Sequence, residues 1–190
     1  MTGGLILLLI LALLAVFGVF IYNQLVQLKH NVGKAWSNID VLLKQRHDEL
    51  PKLVETCKQY MQFEQETLEK VMQARSQVAS ARESRNISAL GQAEASLRTG
   101  LGNLFAVAEA YPELKTNETF RHLQARISGL ENAIADRREF YNDSVNVNNV
   151  RVEQFPDTLV ARLFAFRQFP LLRFATEEKK DVDVGQLFNR

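Results

Sequence analysis

The histidines and the single cysteine are the side chains of this sequence best suited to catalysis or metal binding. His30, His47 and His122 are scattered along the chain, with no HExxH motif and no paired-ligand spacing. Cys57 falls at an apolar position of a helical repeat, which favours a buried structural thiol over a nucleophile. No nucleophile-elbow, phosphate-binding or dinucleotide-binding motif occurs. The sequence therefore predicts no enzymatic activity, no metal site and no cofactor.

A charged cluster interrupts the apolar repeat; it consists of Lys44, Arg46, His47, Asp48 and Glu49. Arg46 falls on the apolar face itself, where a charge must be paired or must extend to solvent. We expect an acidic partner for it on another helix or another subunit. Three interpretations of the cluster remain open: a solvated surface, a buried ion pair that specifies helix packing, and a docking patch for a partner.

Composition restricts the class of protein further. The net charge is +1, from 23 basic and 22 acidic residues, so no bulk field attracts nucleic acid or acidic partners. One cysteine excludes an intrachain disulfide and suits a reducing compartment. The length is sufficient for a single core of modest size.

An uncharged run, Leu5 to Tyr22, precedes the helices that carry these side chains. As a helix it would span roughly 27 Å, close to the hydrocarbon thickness of a bilayer. A cleaved signal peptide would need a basic start and a small-residue cleavage site, and both are poor here. A buried core helix of a soluble protein would be shorter and would carry polar positions. We predict an uncleaved transmembrane anchor over residues 1–22.

The orientation of this anchor is predicted from Lys29 and Lys34, which follow it, and from the absence of Lys or Arg before it. The positive-inside rule then places the amino terminus outside and the body in the cytoplasm. Two lysines are a small bias, and long domains can be translocated despite their charge. The opposite orientation therefore stays open.

The body directly after the anchor has the periodicity of a bundle helix. Apolar residues recur at steps of three and four from Leu25 to Tyr60. The residues predicted to carry helix packing are Trp36, Ile39, Leu43, Leu50 and Leu53. The same phase continues to Ala81, and only Pro51 interrupts it, so one helix over residues 3–84 with a kink at the proline is expected.

Two further helices follow. Asn86 is a suitable N-cap for a helix from Ile87 to about Tyr111, and Asn117 can cap a third helix that reaches about Val152. Long helices that alternate with short loops are typical of an up-and-down bundle. The predicted fold is all-α, with an N-terminal transmembrane helix that continues into an antiparallel bundle of long helices over residues 23–175.

The segment after Pro156 is rich in aromatic and apolar residues. We expect its membrane or subunit contacts to be made by Phe164, Phe166, Phe169, Arg162 and Arg167. Three interpretations stay open: a short fourth helix that caps the core, an interfacial segment with arginines at lipid phosphates, and a self-association patch. A polar tail over residues 176–190 follows, in which Asp181 to Val184 alternates like a short edge strand.

Two blocks of this sequence resemble the LemA family of bacterial membrane proteins. The first contains Tyr22-Asn23, Ala35-Trp36-Ser37, Ile39-Asp40-Val41, Arg46-His47-Asp48 and Pro51 to Thr56. The second is Phe140 to Val145, followed by Asn149 and Phe155-Pro156. The resemblance implies a membrane helix, an antiparallel helical bundle, a bacterial inner-membrane location and no established enzymatic activity. It also implies a connection with envelope maintenance, with neighbouring membrane metallopeptidases, and with membrane remodelling in magnetosome-forming bacteria.

Two functions are expected from these features. The first is a single-pass, membrane-anchored helical scaffold that self-assembles as a homo-oligomer and organises the envelope or shapes the membrane. The alternative is an adaptor that binds or regulates a membrane protein such as a metallopeptidase, with Lys44 to Glu49 as its docking patch. Neither function involves nucleic acid.

Overall fold

The computed structural model describes residues 2–174, and most of this length is helical. Its helices are α1 (Thr2–Lys58), α2 (Gln65–Glu83), α3 (Ile87–Ala108), α4 (Pro112–Thr116), α5 (Glu118–Glu153) and α6 (Asp157–Leu163). No strand occurs between residues 2 and 174, and the predicted all-α class is confirmed. The polar tail 176–190, with its predicted edge strand, lies outside the described residues.

Helix α1 is continuous from the uncharged run into the body of the protein, and it passes through Pro51 without a break. From Leu5 to Phe20 its large apolar side chains are 48–68% exposed. From Ile21 onward one face of the same helix is buried, beginning with Ile21 and Leu25. Exposed apolar side chains on every face are what a lipid-facing helix has, and α1 is long and apolar enough to cross a membrane.

The end of α1 at Lys58 shows that the predicted single helix over residues 3–84 is wrong. The chain turns at residues 59–64, where the amide nitrogen of Met61 donates to the carbonyl oxygen of Cys57 over 2.8 Å. The Met61 side chain is 1% exposed, so the turn carries its own apolar anchor.

The physical reason for this reversal is the burial of two apolar faces. Helix α2 returns along the end of α1, and Val54 and Met72 line the same groove. A straight helix in water would leave both faces exposed, at a cost of about 25 cal/mol for each Å² of apolar surface. The apolar period gave no sign of the turn because it resumes in phase after it.

The chain divides into two compact units. Unit 1 comprises the residues up to Arg46 and residues 128–171. Within it α1 and α5 run antiparallel, since contacts join Gln24 to Arg151 near one end and Arg46 to Glu131 at the other. Its buried positions include Val32, Ala35, Ile39 and Leu43 of α1 and Ile134, Tyr141 and Val145 of α5.

Unit 2 comprises residues 47–127 together with the described residues from Leu172 onward. Helices α2 and α3 form an antiparallel pair, and the position of a Cβ on Gly100 would lie 3.4 Å from the Val71 side chain. Leu50 and Leu53 of α1 are fully buried in this unit. Because Gly100 has no side chain, the two helices can approach closely at this position.

The predicted helix caps are present in unit 2. The side-chain oxygen of Asn86 accepts a hydrogen bond from the amide of Ala89, and that of Asn117 accepts one from the amide of Phe120, both at 3.0 Å. Each cap satisfies an amide that has no partner within its own helix. The single-turn helix α4 begins at Pro112, where proline is favoured because the first turn of a helix needs no amide donor.

Candidate functional site

Arg46 is the most deeply buried charged side chain of the predicted cluster, with 1% exposed. Its guanidinium contacts the carboxylate of Glu131 on α5, whose side chain is 24% exposed. The acidic partner that the sequence requires is thus supplied by another helix of the same chain. Because the pair lies between α1 and α5 of unit 1, it joins two helices, and the Arg46 charge is not presented to solvent.

His47 is half-buried in unit 2 and faces Arg75 of α2. The Nη2 of Arg75 lies 2.7 Å from the His47 Nε2, and its Nε donates to the His47 carbonyl oxygen over 2.9 Å. Burial, followed by the charge of Arg75, lowers the pKa of His47 below 6.5. The ring is therefore neutral at pH 7 and accepts from the guanidinium, so His47 and Arg75 join α1 to α2 within unit 2.

Glu49 is also engaged inside unit 2. Its carboxylate lies 3.1 Å from the Nε of Arg126 and 3.3 Å from the Nζ of Lys52, and only 12% of its side chain is exposed. Lys44 and Asp48 are exposed. The charged cluster is accordingly used mostly for contacts within each unit.

The other side chains singled out as candidates for catalysis or metal binding are His30, His122 and Cys57. His30 and His122 are exposed on helix surfaces, far apart in the sequence. Cys57 is fully buried, and burial raises the pKa of its thiol to about 12. A thiol with that pKa is protonated at neutral pH and is a poor nucleophile. Between residues 2 and 174, no group of three His, Cys, Asp or Glu side chains is placed to hold a metal ion.

Trp36 and Tyr141 bring the two family-like sequence blocks together in unit 1. Their rings lie edge to face, with centroids 5.9 Å apart and an interplanar angle of 63°. The Tyr141 hydroxyl donates to the carbonyl oxygen of Pro170 over 3.0 Å. Burial raises the pKa of Tyr141, so the hydroxyl keeps the proton that it donates. This pair links α1, α5 and the segment that follows α6.

Two asparagines of α5 hold that extended segment by its backbone. Asn149 accepts from the amide of Phe169 and donates to the carbonyl oxygen of the same residue, both at 2.9 Å. Asn148, which is 1% exposed, donates to the carbonyl oxygen of Arg167 over 3.3 Å. A side-chain amide here replaces the partner that a neighbouring strand would supply. Asn148 lies in phase with the apolar face of α5, and this position is the signal by which its role could have been found.

An aromatic cluster lies where the uncharged run of α1 ends. The Tyr22 ring contacts Phe164 and Phe166 edge to face, with centroids 4.7 and 5.7 Å away. Beneath it Ile21, Leu25 and Ala161 of α6 form a small buried core, against which Phe166 packs. Helix α6 therefore packs against the part of α1, Ile21 to Leu25, where the side chains of α1 first become buried.

The position of α6 is fixed by an ion pair. The Nε of Arg151 lies 2.8 Å from the Asp157 carboxylate at the start of α6, and Asp157 is 4% exposed. The same guanidinium contacts the side-chain oxygen of Gln24 on α1. One arginine thus connects three helices of unit 1 next to the aromatic cluster.

The five residues predicted for membrane or subunit contact divide into two groups. Phe166 and Phe169 are half-buried within unit 1, whereas Phe164, Arg162 and Arg167 are exposed. The most exposed apolar residues of this region were not among those predicted: Phe155 (73%), Leu159 (60%) and Leu163 (77%). Apolar content alone cannot tell which side of a short helix faces its own protein.

The contacts of Trp36, Arg46, Tyr141 and Asn149 all lie within residues 35–185, the range over which the sequence model of the LemA family matches this chain. The chain belongs to the LemA family. As a LemA family protein, it uses its two signature blocks to join α1 to α5 and to hold the segment after α6.

The chain is similar to one protein that carries the family's name and to magnetosome proteins. The protein LemA of Metamycoplasma hominis is 26% identical over 171 residues, which are 88% of this chain and 75% of that protein. Magnetosome protein MamQ 2 of Paramagnetospirillum magneticum is 28% identical over 100 residues, 53% of this chain and 37% of its own length. Magnetosome protein MamQ of Magnetospirillum gryphiswaldense is 30% identical over 80 residues, 42% of this chain and 29% of that protein. The chain thus spans about a third of the length of the magnetosome proteins it matches.

Proposed function

We propose that this LemA family protein is a single-pass, membrane-anchored helical scaffold that self-assembles at the bacterial inner membrane. Its role is to organise the envelope or to shape the membrane, without catalysis. The observation that carries this proposal is the continuity of α1, which runs from exposed apolar residues into the core of unit 1 with no joint. A helix without a joint holds the attached protein at a set angle to the membrane, as a scaffold requires.

Self-association is supported by an apolar stripe on the outer face of α5. Phe140, Val147 and Val150 are 52%, 50% and 50% exposed and fall within about 80° of one another around the helix. Large apolar side chains that recur at helical spacing on a solvent face are typical of a surface that packs against another helix. A second copy of the chain is the partner that we propose for this α5 stripe.

The magnetosome relatives are consistent with a role at membranes, since a magnetosome is named in both of their descriptions. For this chain, Lys29 and Lys34 after the anchor favour a cytoplasmic body.

Light scattering on the full-length protein in detergent tests the scaffold. The expected mass is that of a defined oligomer, and Val147→Glu is expected to reduce it because a charge would be buried in the contact. Ser128→Glu is the matched control, since it adds the same charge at an exposed position of α5 about 18 Å along the helix from Phe140, the nearest residue of the stripe. A monomeric wild-type protein would refute self-assembly. An unchanged mass for Val147→Glu would exclude the α5 stripe.

Phe166, one of the residues predicted to make a membrane or subunit contact, is engaged within unit 1. Phe166 packs against the core formed by Ile21, Leu25 and Ala161, and its ring contacts Tyr22. Replacement by a charged residue would therefore disturb unit 1 itself.

The adaptor alternative depends on the Lys44–Glu49 cluster as a docking patch. Arg46, His47 and Glu49 are already paired with Glu131, Arg75 and Arg126, which leaves Lys44 and Asp48 exposed. The adaptor is thus left with a small surface. Charge reversal at both exposed residues, followed by recovery of a co-purified membrane protein, tests this alternative.

A further inference from the structure

We propose that α6 and its flanking residues form a second membrane contact, in which exposed apolar side chains enter the lipid headgroup boundary beside the anchor. We call this surface the α6 face, and it consists of Phe155, Leu159, Leu163 and Phe164. The inference rests on the proposed crossing of the membrane by α1. It adds a lipid partner and a defined surface to that proposed function.

The first step of the argument is position. Ala161 of α6 packs against Ile21 and Leu25, which lie at the end of the uncharged run of α1. At a rise of about 1.5 Å per residue, Leu25 is only about 5 Å along the helix from Tyr22. If the uncharged run fills the hydrocarbon, α6 is held at the bilayer surface.

The second step is exposure. Leu163 is 77% exposed, Phe155 73%, Leu159 60% and Phe164 56%. Leu159 and Leu163 are separated by one helical turn and share a face, opposite the face that buries Ala161. Four large apolar side chains exposed within residues 155–164 are a concentration of the kind that marks an interaction surface.

The third step is the chemistry of the surrounding side chains. Tyr22 is partly exposed and stacks edge to face on Phe164, and Tyr is enriched at the membrane–water boundary. Arg162 and Arg167 are exposed beside the apolar residues. Apolar rings flanked by arginines fit a bilayer surface, where the rings reach acyl chains and the guanidinium groups reach phosphates. The same combination favours a lipid surface over a purely apolar protein partner.

The fourth step is preorganisation. The Arg151–Asp157 ion pair fixes the start of α6, and Asn149 fixes the backbone of Phe169 beyond it. The α6 face is therefore held in place before it meets lipid, and little conformational entropy is lost on contact. A contact of this kind would set the tilt of the body as well as its height above the membrane.

The experiment uses an environment-sensitive fluorophore attached to Leu163→Cys in the full-length protein, reconstituted in vesicles of phosphatidylethanolamine and phosphatidylglycerol. The native Cys57 is fully buried with a pKa of about 12, so labelling is selective for the introduced thiol. Leu13→Cys in the apolar run is the lipid reference. Ser37→Cys, about 22 Å along α1 from Tyr22, is the aqueous reference.

A lipid-borne nitroxide near the headgroups is expected to quench the Leu163 label, and aqueous iodide is expected to quench it several-fold less than the Ser37 label. Iodide quenching equal to that at Ser37, with the Leu13 label still protected, would overturn the α6 face alone. An iodide-accessible Leu13 label would overturn the membrane crossing, and the inference with it.

A third result would identify a second copy of the chain as the occupant. The Leu163 label would then be protected from both quenchers, and it would become accessible to iodide when the protein is diluted in excess lipid. That result would overturn the lipid contact. Leu159→Cys repeats the measurement one turn away, so the outcome does not depend on a single substitution.

Discussion

Gly91 of α3 offers the sharpest test of the packing in unit 2. A Cβ built on this residue would overlap the backbone carbonyl oxygen of Arg173. The obstructing atom belongs to the backbone, so it cannot move aside as a flexible side chain would. Gly91→Ala must therefore displace the segment at Arg173 from α3.

The expected magnitude follows from Leu172, which is 1% exposed next to the displaced residue. Loss of a fully buried leucine costs about 1.5–3 kcal/mol, while Gly→Ala in a helix interior returns up to about 1 kcal/mol. The net loss is about 0.5–2 kcal/mol in the free energy of unfolding. For a chain of this size that corresponds to a fall in Tm of roughly 1–8 °C.

The assay is thermal unfolding followed by circular dichroism, together with the rate of tryptic cleavage after Arg173. Gly102→Ala is the matched control, because it lies in the same helix with no heavy atom within 4 Å of its added Cβ. We expect Gly102→Ala to raise the Tm and leave cleavage unchanged, whereas Gly91→Ala lowers the Tm and accelerates cleavage. Equal increases in Tm for both variants would refute the close approach at Gly91.

Two further predictions concern side chains of α1 and α5. Asn149→Leu removes the two hydrogen bonds to the extended segment and is expected to cost about 1–3 kcal/mol, measured as a fall in Tm; no fall, with Ser144→Ala as the exposed-hydroxyl control, would contradict the backbone contact. The second concerns His47, whose folded-state pKa is lowered by burial and Arg75, so that the unfolded chain binds the proton more tightly. The stability that the neutral ring contributes is therefore present above the unfolded pKa and falls as the pH drops below about 6.5. The difference in Tm between pH 7.5 and pH 5.5 should be larger for wild type than for His47→Gln, and an equal difference would show that His47 does not contribute.

The helix caps and the class of fold were predictable from local residues. Asn86 and Asn117 signal helix starts through their own side chains, and the apolar period of α1 and α5 marks the buried face. Both signals act over a few residues, so one sequence is enough to read them.

The turn at 59–64 and the division of the Phe-rich segment depend on contacts between distant residues. The turn contains neither Pro nor Gly, and Met61 directs it by burial that only the folded chain provides. In the same way, Phe166 is half-buried because it packs against the core of Ile21, Leu25 and Ala161, whereas Phe164 contacts the partly exposed ring of Tyr22 and is itself exposed. The sequence required a partner for Arg46, but the choice of Glu131 depends on how α5 aligns with α1.

The continuity of α1 also has a rotational consequence. Since no flexible residue separates Phe20 from Leu25, one inserted residue near Gly18 would rotate the preceding part of the helix by about 100° and shift it by about 1.5 Å. A seven-residue insertion would restore the rotation to within about 20° but lengthen the helix by about 10 Å. An insertion therefore changes both the distance of the apolar segment from unit 1 and its rotation about the helix axis. Copies of the chain whose anchors lie in a common membrane would therefore hold unit 1 at the same height above it.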